Sequence, residues 1–487
     1  MQYLRTLGRF RSFTNSGFHR IATALAIAAA FGLWGCGGSS TSSPAPTPPS
    51  LISVTVTPDS VTVLPDGTQA FTAKITGTTN TAVTWSVEES SGGAIDSAGL
   101  YTAPAAGGFY QVVATSVEET TVTASATVTV TTSSSGFTPT GSLNVARGLH
   151  TATLLPDNKV LVAYGSNSSA YTNATGYVGL SSIEVYDAGT GTFTEIVGDS
   201  GVGIFGHTAT LLQNGKVLLA GGFLNSVWDY GPSTSDNGAG LYDSATGVFS
   251  GTGNMTANRG GHTATLLADG KVLIAGGADQ DLTGTGLASA ELYDPSTGTF
   301  TQTGSMAVGR FLHTATLLQN GKVLIVGGAL TSTADPVATA EVYDPATGVF
   351  TMTDAMKTAR EQHTATLLAD GRVLIVGGTT STGTGDPTAT VEVYDPSTGS
   401  FSVTGSMAEA RILHTATLLS SGKVLVAGGG NQNSTAEVYD PATGSFSITG
   451  GMETGRSGHT ATLLPNASVL VAGGGIFAGL ASAELYQ

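Results

Sequence analysis

The hexapeptide His-Thr-Ala-Thr-Leu-Leu occurs seven times in this chain, and no other feature constrains the fold as strongly. Successive copies start 45 to 57 residues apart, at His150, His207, His262, His313, His363, His414 and His459. A period of this length indicates one supersecondary unit that is repeated and that shares its core with its neighbours. The repeat starts well inside a chain of 487 residues, so room remains for other domains before it.

Each repeat contains the signals of four short strands. In the fourth repeat, the hexapeptide is followed by Asn320-Gly321, by the apolar run Val323–Val326, by a Gly pair, and by Glu341-Val-Tyr-Asp and Phe350-Thr. Asn-Gly between apolar runs marks a two-residue hairpin. A run that is apolar at every position is typical of a strand covered on both faces. Seven such units predict an all-β fold, a seven-bladed β-propeller.

The two ends of the repeat region predict how the propeller closes. The last repeat stops at Gln487 and lacks its fourth strand, whereas Phe137-Thr-Pro-Thr-Gly141 precedes the first hexapeptide and has the sequence of that strand. We therefore expect the N-terminal strand to complete the last blade as its outermost strand. Closure of this kind removes an open sheet edge.

The Gly pair after an apolar strand, with a Tyr and a second aromatic at fixed later offsets, resembles the kelch repeat over residues 137–487. Two features depart from the common pattern: Tyr164-Gly165 replaces one Gly pair, and Phe stands where many kelch repeats have Trp, at Phe193, Phe249, Phe300, Phe350, Phe401 and Phe446. Some kelch-like propellers are copper-radical oxidases, whose cofactor needs a Cys cross-linked to a Tyr. The single cysteine here is Cys36, outside the propeller, which excludes that chemistry.

Residues 51–132 predict a second, smaller β domain. Apolar and polar residues alternate through Ile52, Val54 and Val56 and again through Val83–Val87, with turn signals between the runs. About 80 residues of this pattern favour a β-sandwich with Trp85 in its core. The segment also resembles the bacterial Ig-like domains of group 2, in Thr57-Pro58, in Val83–Val87 and in Gly99–Pro104. That resemblance implies a spacer or an adhesin stalk.

The N-terminus has the features of an export signal. Residues 1–20 contain four Arg and no acid, and Ile21–Trp34 is a short apolar run. Leu33-Trp-Gly-Cys36 resembles the lipobox of bacterial lipoproteins, which implies lipidation of Cys36 and a membrane anchor; the alternative is a plain signal peptide with a leftover thiol. We predict a signal peptide at 1–35, a tether rich in Ser, Pro and Thr at 36–50, the Ig-like domain at 51–132 and the propeller at 136–487. The expected location is the outer membrane or cell surface.

Three kinds of ionisable residue repeat with the blades, and each has a structural interpretation. The His residues occur once per blade and are therefore spread around a ring, so they do not converge as the ligands of a metal ion must. An Arg three residues before the His and a Glu before the Val/Leu-Tyr both occur in six blades, and the second blade has Ile204 and Gly240 instead. Their joint loss predicts a partly buried bidentate ion pair within each of the other blades. The alternative is a functional anion-binding ring.

Functional residues are expected where the repeat loses its symmetry. The inserts between the Gly pair and the Glu position are longest in blades one and two, at 18 and 17 residues. The aromatic residues of these inserts are candidates to bind a sugar or a protein, and the alternative is that they only cap the channel. They are Tyr171, Tyr177, Phe223, Trp228 and Tyr230. A weak Ca²⁺ signal comes from Asp229, Asp279 and Asp281, and no metal site or other cofactor is predicted.

The composition and motifs favour a binding protein. The net charge is −16 and Lys and Arg clusters are absent, which excludes nucleic acid as a partner. No catalytic residues are predicted. The main hypothesis is an anchored, monomeric, non-catalytic binding or adhesion protein whose long-loop face takes a glycan or protein ligand. The alternative is a carbohydrate-active enzyme with its active site at the propeller channel, which would show a compact cluster of ionisable residues that break the repeat.

Overall fold

The computed structural model describes residues 52–63, 67–104, 108–130, 136–167, 179–196, 203–225, 234–279, 285–331, 333–381, 386–430, 432–475 and 478–487. Across these residues the regular structure consists of strands, with no helix. Accordingly, this part of the chain contains no helix long and apolar enough to cross a membrane. Cys36 and the predicted signal and tether lie outside the described residues.

Residues 52–130 form an antiparallel-rich β domain. One sheet has the strand order Ser60–Val63, Thr123–Val130, Gly108–Ser116 and Val83–Val87, in which the first pair is parallel. Two smaller sheets join Ser53–Thr57 to Thr72–Thr76, and Thr68–Ala70 to Leu100–Thr102 and Ala94–Ile95. The alternation in the sequence turns one face of these strands inward, and Phe71 and Tyr101 are buried there. Trp85 is partly buried and packs against this core.

Residues 136–487 form seven four-stranded antiparallel sheets, each with its strands in the order A, B, C, D from the inside outward. The strand bounds, from blade one to blade seven, follow. The A strands are Thr151–Leu154, Thr208–Leu211, Thr263–Leu266, Thr314–Leu317, Thr364–Leu367, Thr415–Leu418 and Thr460–Leu463. The B strands are Lys159–Ala163, Lys216–Ala220, Val272–Ala275, Val323–Val326, Val373–Val376, Val424–Ala427 and Val469–Ala472.

The two outer strands of each blade complete the sheets. The C strands are Ile183–Asp187, Ala239–Asp243, Ala290–Asp294, Ala340–Asp344, Val391–Asp395, Ala436–Asp440 and Ala483–Tyr486. The D strands are Thr192–Ile196, Val248–Gly251, Thr299–Gln302, Val349–Met352, Ser400–Val403, Ser445–Ile448 and, for blade seven, Phe137–Pro139. A-strand contacts run from each blade to the next and from the seventh to the first, so the blades form a closed ring.

The apolar B strands make the core between blades. Val323–Val326 is fully buried because both faces of its sheet are covered by neighbouring sheets. The Tyr of each C strand packs on the Phe opposite it on strand D, with ring centroids 4.7 Å apart for Tyr343 and Phe350. The Tyr hydroxyl also reaches a Thr of the preceding blade, as between Tyr343 and Thr303 at 2.8 Å. One C-strand residue thus links two blades.

The chain closes its ring as the sequence predicts. Phe137, Thr138 and Pro139 pair with Tyr486, Leu485 and Glu484, which makes the N-terminal strand the outermost strand of blade seven. The rings of Phe137 and Tyr486 lie 5.1 Å apart and reproduce the Tyr–Phe contact of the other blades. The first and last parts of the propeller therefore share one sheet.

Blade two carries an additional sheet on the long-loop face, the end of the propeller where the chain enters the A strands and leaves the B strands. Gly203–Phe205, Phe223–Asn225 and Thr234–Ser235 pair in this three-stranded sheet. A bridge between Leu180 and Ile204 links it to the insert of blade one. The second blade thus differs from the others in backbone as well as in sequence.

Candidate functional site

The six Arg residues that lie three positions before the His form ion pairs with the Glu of their own blade, as predicted, and the pairs are more deeply buried than expected. The Nη2–Oε1 distances are 2.6–3.1 Å, and every Arg side chain has no exposed surface. The pairs are Arg147–Glu184, Arg259–Glu291, Arg310–Glu341, Arg360–Glu392, Arg411–Glu437 and Arg456–Glu484. These residues are therefore committed to structure.

The expected bidentate contact, in which two guanidinium donors bind the two oxygens of one carboxylate, is wrong, because each group divides its bonds between several partners. In blade three, Nε and Nη2 of Arg259 both donate to Glu291, but to the same oxygen. In blade four, Nη1 of Arg310 donates to the carbonyls of Gly327 and Thr339, and Nη2 donates to the Thr339 hydroxyl and to Glu341. The other oxygen of Glu341 accepts the backbone N–H of Ala307. Nε of Arg310 donates to the Val308 carbonyl as well, so the donors are spread over five acceptors, and the pair ties strands B and C to the loop that enters strand A.

The seven histidines form hydrogen bonds between blades. Each Nε2 lies 2.9–3.0 Å from the Oγ1 of the first Thr in the preceding A strand, and the ring closes from His150 to Thr460. Burial lowers the pKa of His207 and of His262 to about 3, so these imidazoles are neutral near pH 7. Among the described residues, no three His, Cys, Asp or Glu side chains form a group that could hold a metal.

The five predicted aromatic residues have different outcomes. Phe223 is 1% exposed and packs with Phe205 and Phe311 in an apolar cluster, so the prediction that it offers a surface for a ligand is corrected. Its aromatic ring is buried because the extra sheet of blade two pairs Phe223 with Phe205, whose ring lies 5.4 Å away. Tyr171, Tyr177, Trp228 and Tyr230 lie outside the described residues, as do Asp229 and Asp281 of the Ca²⁺ prediction. Asp279 is described and exposed.

A cavity of about 180 Å³ occupies the place in blade two where the other blades have their ion pair. Three side chains are replaced there. Ile204 stands for the Arg and Gly240 for the Glu, and Gly238 stands for the Ser or Thr that accepts a bond from Arg Nη2 in the other blades. The walls include Tyr164 and Leu219 on the apolar side, with His207, Asp236 and Ser250 as polar groups.

The Gly residues leave the cavity open. A Cβ built on Gly240 would meet nothing closer than the Ser250 carbonyl oxygen at 3.6 Å, and a Cβ on Gly251 would meet nothing within 4 Å. Gly240 and Gly251 face each other across strands C and D. Ser250 and Gly251 are exposed, so the cavity reaches solvent at the outer part of the blade.

One other ionisable residue breaks the repeat on this face. Glu361 follows Arg360, at a position occupied elsewhere by Gly148, Phe205, Gly260, Phe311, Ile412 and Ser457. It is 4% exposed, and burial raises the pKa of its carboxyl to about 7. Such a group can exchange a proton near neutral pH. It is the single acid at this ring position, so these seven positions do not supply the two carboxylates of a typical glycosidase.

Sequence reasoning missed the cavity as a site, although its signal was visible. The sequence marks Ile204 and Gly240 as the missing ion pair, and the signal of the cavity is that Gly238 and Asp236 also depart from the repeat. In five other blades the residue four positions before the Glu is Leu180, Leu287, Val337, Thr388 or Leu480, and blade six has Asn433. An acid at this position therefore occurs in blade two alone.

Comparisons with known proteins agree with this architecture. Residues 51–110 match the family described as bacterial Ig-like domain (group 2), and residues 363–408 match the kelch motif. This chain joins a group 2 bacterial Ig-like domain to a kelch β-propeller. No curated protein matches it.

Solved structures match parts of this chain. One is a fungal alcohol oxidase of the AA5 family, solved in complex with copper, with 20% identity and a TM-score of 0.59. The match covers 73% of this chain and 76% of the oxidase. Another is YjhT, with 12% identity and a TM-score of 0.49, over 63% of this chain and 99% of YjhT. At 20% identity, the oxidase shares the fold, and its copper and its reaction are its own.

Proposed function

We propose that this protein is a non-catalytic binding protein of the bacterial cell envelope that presents its propeller to a glycan or protein ligand on the long-loop face. The observation that carries the proposal is where the symmetry breaks. The repeated Arg, Glu and His side chains are used in contacts within and between blades. The longest inserts, the additional sheet and the 180 Å³ cavity all belong to blades one and two.

Export and anchoring are part of the same proposal. The Ig-like domain is of a type that serves as a spacer or adhesin stalk, and it precedes the propeller in the chain. The Arg-bearing N-terminus and Cys36 supply the sequence features of a lipoprotein signal. In this arrangement the tether and the Ig-like domain hold the propeller away from the outer membrane. Two or more acyl chains are required for stable anchoring of this kind.

Anchoring is tested with the full-length chain expressed in a Gram-negative host. We expect the wild type to sediment with membranes and to label with a radioactive fatty acid, and Cys36→Ser to lose both properties. A Cys36→Ser protein that still sediments and a wild type that takes up no label would contradict lipidation. Protease access to intact cells then distinguishes surface display from a periplasmic location.

Ligand binding is tested through Trp228 on the insert of blade two. The full chain is titrated with glycans and matrix proteins on an array, beside Trp228→Ala and the control Trp85→Phe in the Ig-like domain. We expect saturable binding that falls at least about tenfold in Trp228→Ala, as for a hot-spot aromatic, and that Trp85→Phe retains. Binding equal in all three proteins, or no binding by any folded protein, would contradict a site on this loop.

Glu361 supports a second candidate function, a carbohydrate-active enzyme with its active site at the channel. A buried carboxyl with a pKa of about 7 is suited to general acid catalysis. The test is hydrolysis of a panel of aryl glycosides and polysaccharides by the full chain and by Glu361→Gln. Turnover that Glu361→Gln abolishes while the fold is kept would replace the binding proposal with this one.

A further inference from the structure

The cavity of blade two retains hydrogen-bond acceptors that receive an arginine in the other blades. In blade three, Nη1 of Arg259 donates to the carbonyls of Gly276 and Ser289 at 2.8 and 2.9 Å. The same two acceptors recur for each of the other five arginines, for example Gly327 and Thr339 with Arg310. The acceptor pair is therefore a constant feature of the repeat, set by the ends of strands B and C.

In blade two the corresponding carbonyls belong to Gly221 and Gly238, and both residues line the cavity. Ile204 replaces the arginine that would occupy this space, and its side chain packs against Tyr164 and Leu219 instead. Within the described residues no arginine donates to these two carbonyls. The cavity thus has the geometry of a guanidinium site from which the chain's own guanidinium is missing.

Asp236 gives this site a negative charge. The residue lines the cavity, and one of its carboxylate oxygens lies 2.7 Å from the position of a Cβ built on Gly238. Gly238 is where the other blades place the hydroxyl that accepts from Arg Nη2. Two carbonyls and a carboxylate on one cavity select a cation with several donors, and a guanidinium has five N–H donors in a plane.

We infer that the blade-two cavity binds the guanidinium group of an arginine side chain that a partner protein inserts through the opening at Ser250 and Gly251. The volume of 180 Å³ is sufficient, because a cavity of about 150 Å³ holds a benzene-sized group. Charge favours such a partner as well, since the chain carries 34 acidic and 18 basic residues. This inference rests on the proposed function only in that the arginine belongs to a protein ligand, which is called the carrier below.

The test is calorimetric titration of the full chain with methylguanidinium and with methylammonium at constant ionic strength. We expect one methylguanidinium to bind per chain and methylammonium to bind at least about tenfold more weakly, because a compact ammonium cannot reach several separate acceptors as the forked guanidinium does. Asp236→Asn should weaken methylguanidinium binding about tenfold or more, since it removes a charge-assisted hydrogen bond. Asp279→Asn is the matched control, because Asp279 is an exposed acid outside the cavity lining.

A second variant keeps the test decisive if Asp236→Asn does not fold. Gly240→Ala places a methyl group in open space within the cavity and should reduce methylguanidinium binding without loss of fold. Equal binding by wild type, Asp236→Asn and Gly240→Ala would overturn the inference, as would equal affinity for the two cations or no binding of methylguanidinium at all.

The carrier is tested separately, with a peptide that has one arginine and the same peptide with lysine. We expect competition with methylguanidinium from the arginine peptide alone. The arginine site in the cavity and the ligand site at the Trp228 loop are tested independently. Methylguanidinium binding that survives Trp228→Ala supports the arginine site even if no array ligand depends on Trp228. Conversely, array binding that depends on Trp228 and ignores Asp236→Asn would support the binding function and refute the arginine site.

Discussion

Nη2 of Arg310 lies 3.0 Å from Oε1 of Glu341, and both side chains are closed to solvent. The two residues come from the entry to strand A and from strand C, so the pair joins elements that are 31 residues apart in the chain. The remaining Arg310 donors are bound to backbone carbonyls and to the Thr339 hydroxyl, and the second Glu341 oxygen accepts the backbone N–H of Ala307. Because Arg310, Glu341 and the groups around them satisfy one another's hydrogen bonds, the loss of one side chain leaves several buried polar groups without a partner.

Removal of the acid alone should be costly. We expect Glu341→Ala to lower the free energy of unfolding by about 3–5 kcal/mol, since the Arg310 charge stays buried without its partner. The measurement is a chemical denaturation curve of the full chain, followed by far-UV circular dichroism. The control in the same blade is Lys322→Ala, which breaks the ion pair of Lys322 with Asp344 and leaves the turn bond from the Ala346 N–H to Asp344 in place.

The control pair is exposed, with 43% and 30% of the two side chains accessible. An exposed pair contributes about 0–1 kcal/mol, so Lys322→Ala should change stability by no more than that. If both variants lose the same stability, the buried pair has no special structural role and the interpretation of the Arg and Glu repeat is wrong.

Two glycines should respond to alanine in opposite directions. Gly240→Ala should stabilise the protein by about 0.5–1 kcal/mol, because a strand glycine costs conformational entropy and a Cβ there has free space. Gly328→Ala should destabilise it, because Gly328 has φ of 93° and a Cβ would approach the Phe311 carbonyl oxygen to 2.6 Å. Thermal unfolding of the two variants is the measurement, and a stabilised Gly328→Ala would contradict the backbone geometry of the second Gly in the pair.

The sequence was sufficient to predict the propeller because each repeat contains residues that indicate hairpins and buried strands. Asn320-Gly321 indicates a hairpin, and the run Val323–Val326 indicates a strand buried on both faces, and both features are confirmed. The position of the closing strand also followed from the order of the repeat, because residues 137–139 have the sequence of a D strand and lie before the first hexapeptide, and they pair with the C strand of blade seven.

The site was less predictable, since it depends on what lies beside an altered residue rather than on the residue itself. Phe223 is an aromatic on a long insert, which favours exposure, yet the local pairing with Phe205 buries it. The cavity forms because three positions that carry polar side chains in the other blades have small or apolar residues here and lie next to one another. These positions are spread along the chain from Ile204 to Gly240. The spacing of these residues along the chain does not show that they are neighbours, because their proximity depends on how the strands pair.

The closing strand offers a stability prediction at the seam of the ring. Phe137→Ala removes the ring that packs on Tyr486, and we expect a loss of about 1–3 kcal/mol, as for a partly buried aromatic. Phe109→Ala in the Ig-like domain is the matched control, because Phe109 is 75% exposed. Denaturation curves that shift equally for the two variants would show that the Phe137 contact does not hold the seam.

The histidine ring makes the propeller sensitive to acid in a defined pH range. Burial lowers the pKa of His262 to about 3, whereas an unfolded histidine has a pKa of about 6.5. The folded state therefore binds fewer protons than the unfolded state between these values. The stabilisation is complete above pH 6.5 and is lost as the pH falls towards 3.

We expect the melting temperature of the full chain to fall steadily from pH 6.5 to pH 5, where most carboxylates do not titrate. Glu361, whose pKa is raised to about 7, acts in the opposite direction, but it is one group against the ring of histidines. His262→Gln removes one titrating group from the ring, so its slope of melting temperature against pH should be shallower than that of the wild type. The loss of the bond to Thr208 lowers stability at every pH and leaves the slope as the diagnostic quantity. A wild type whose melting temperature is flat over this range would mean that the histidines are not held neutral by burial.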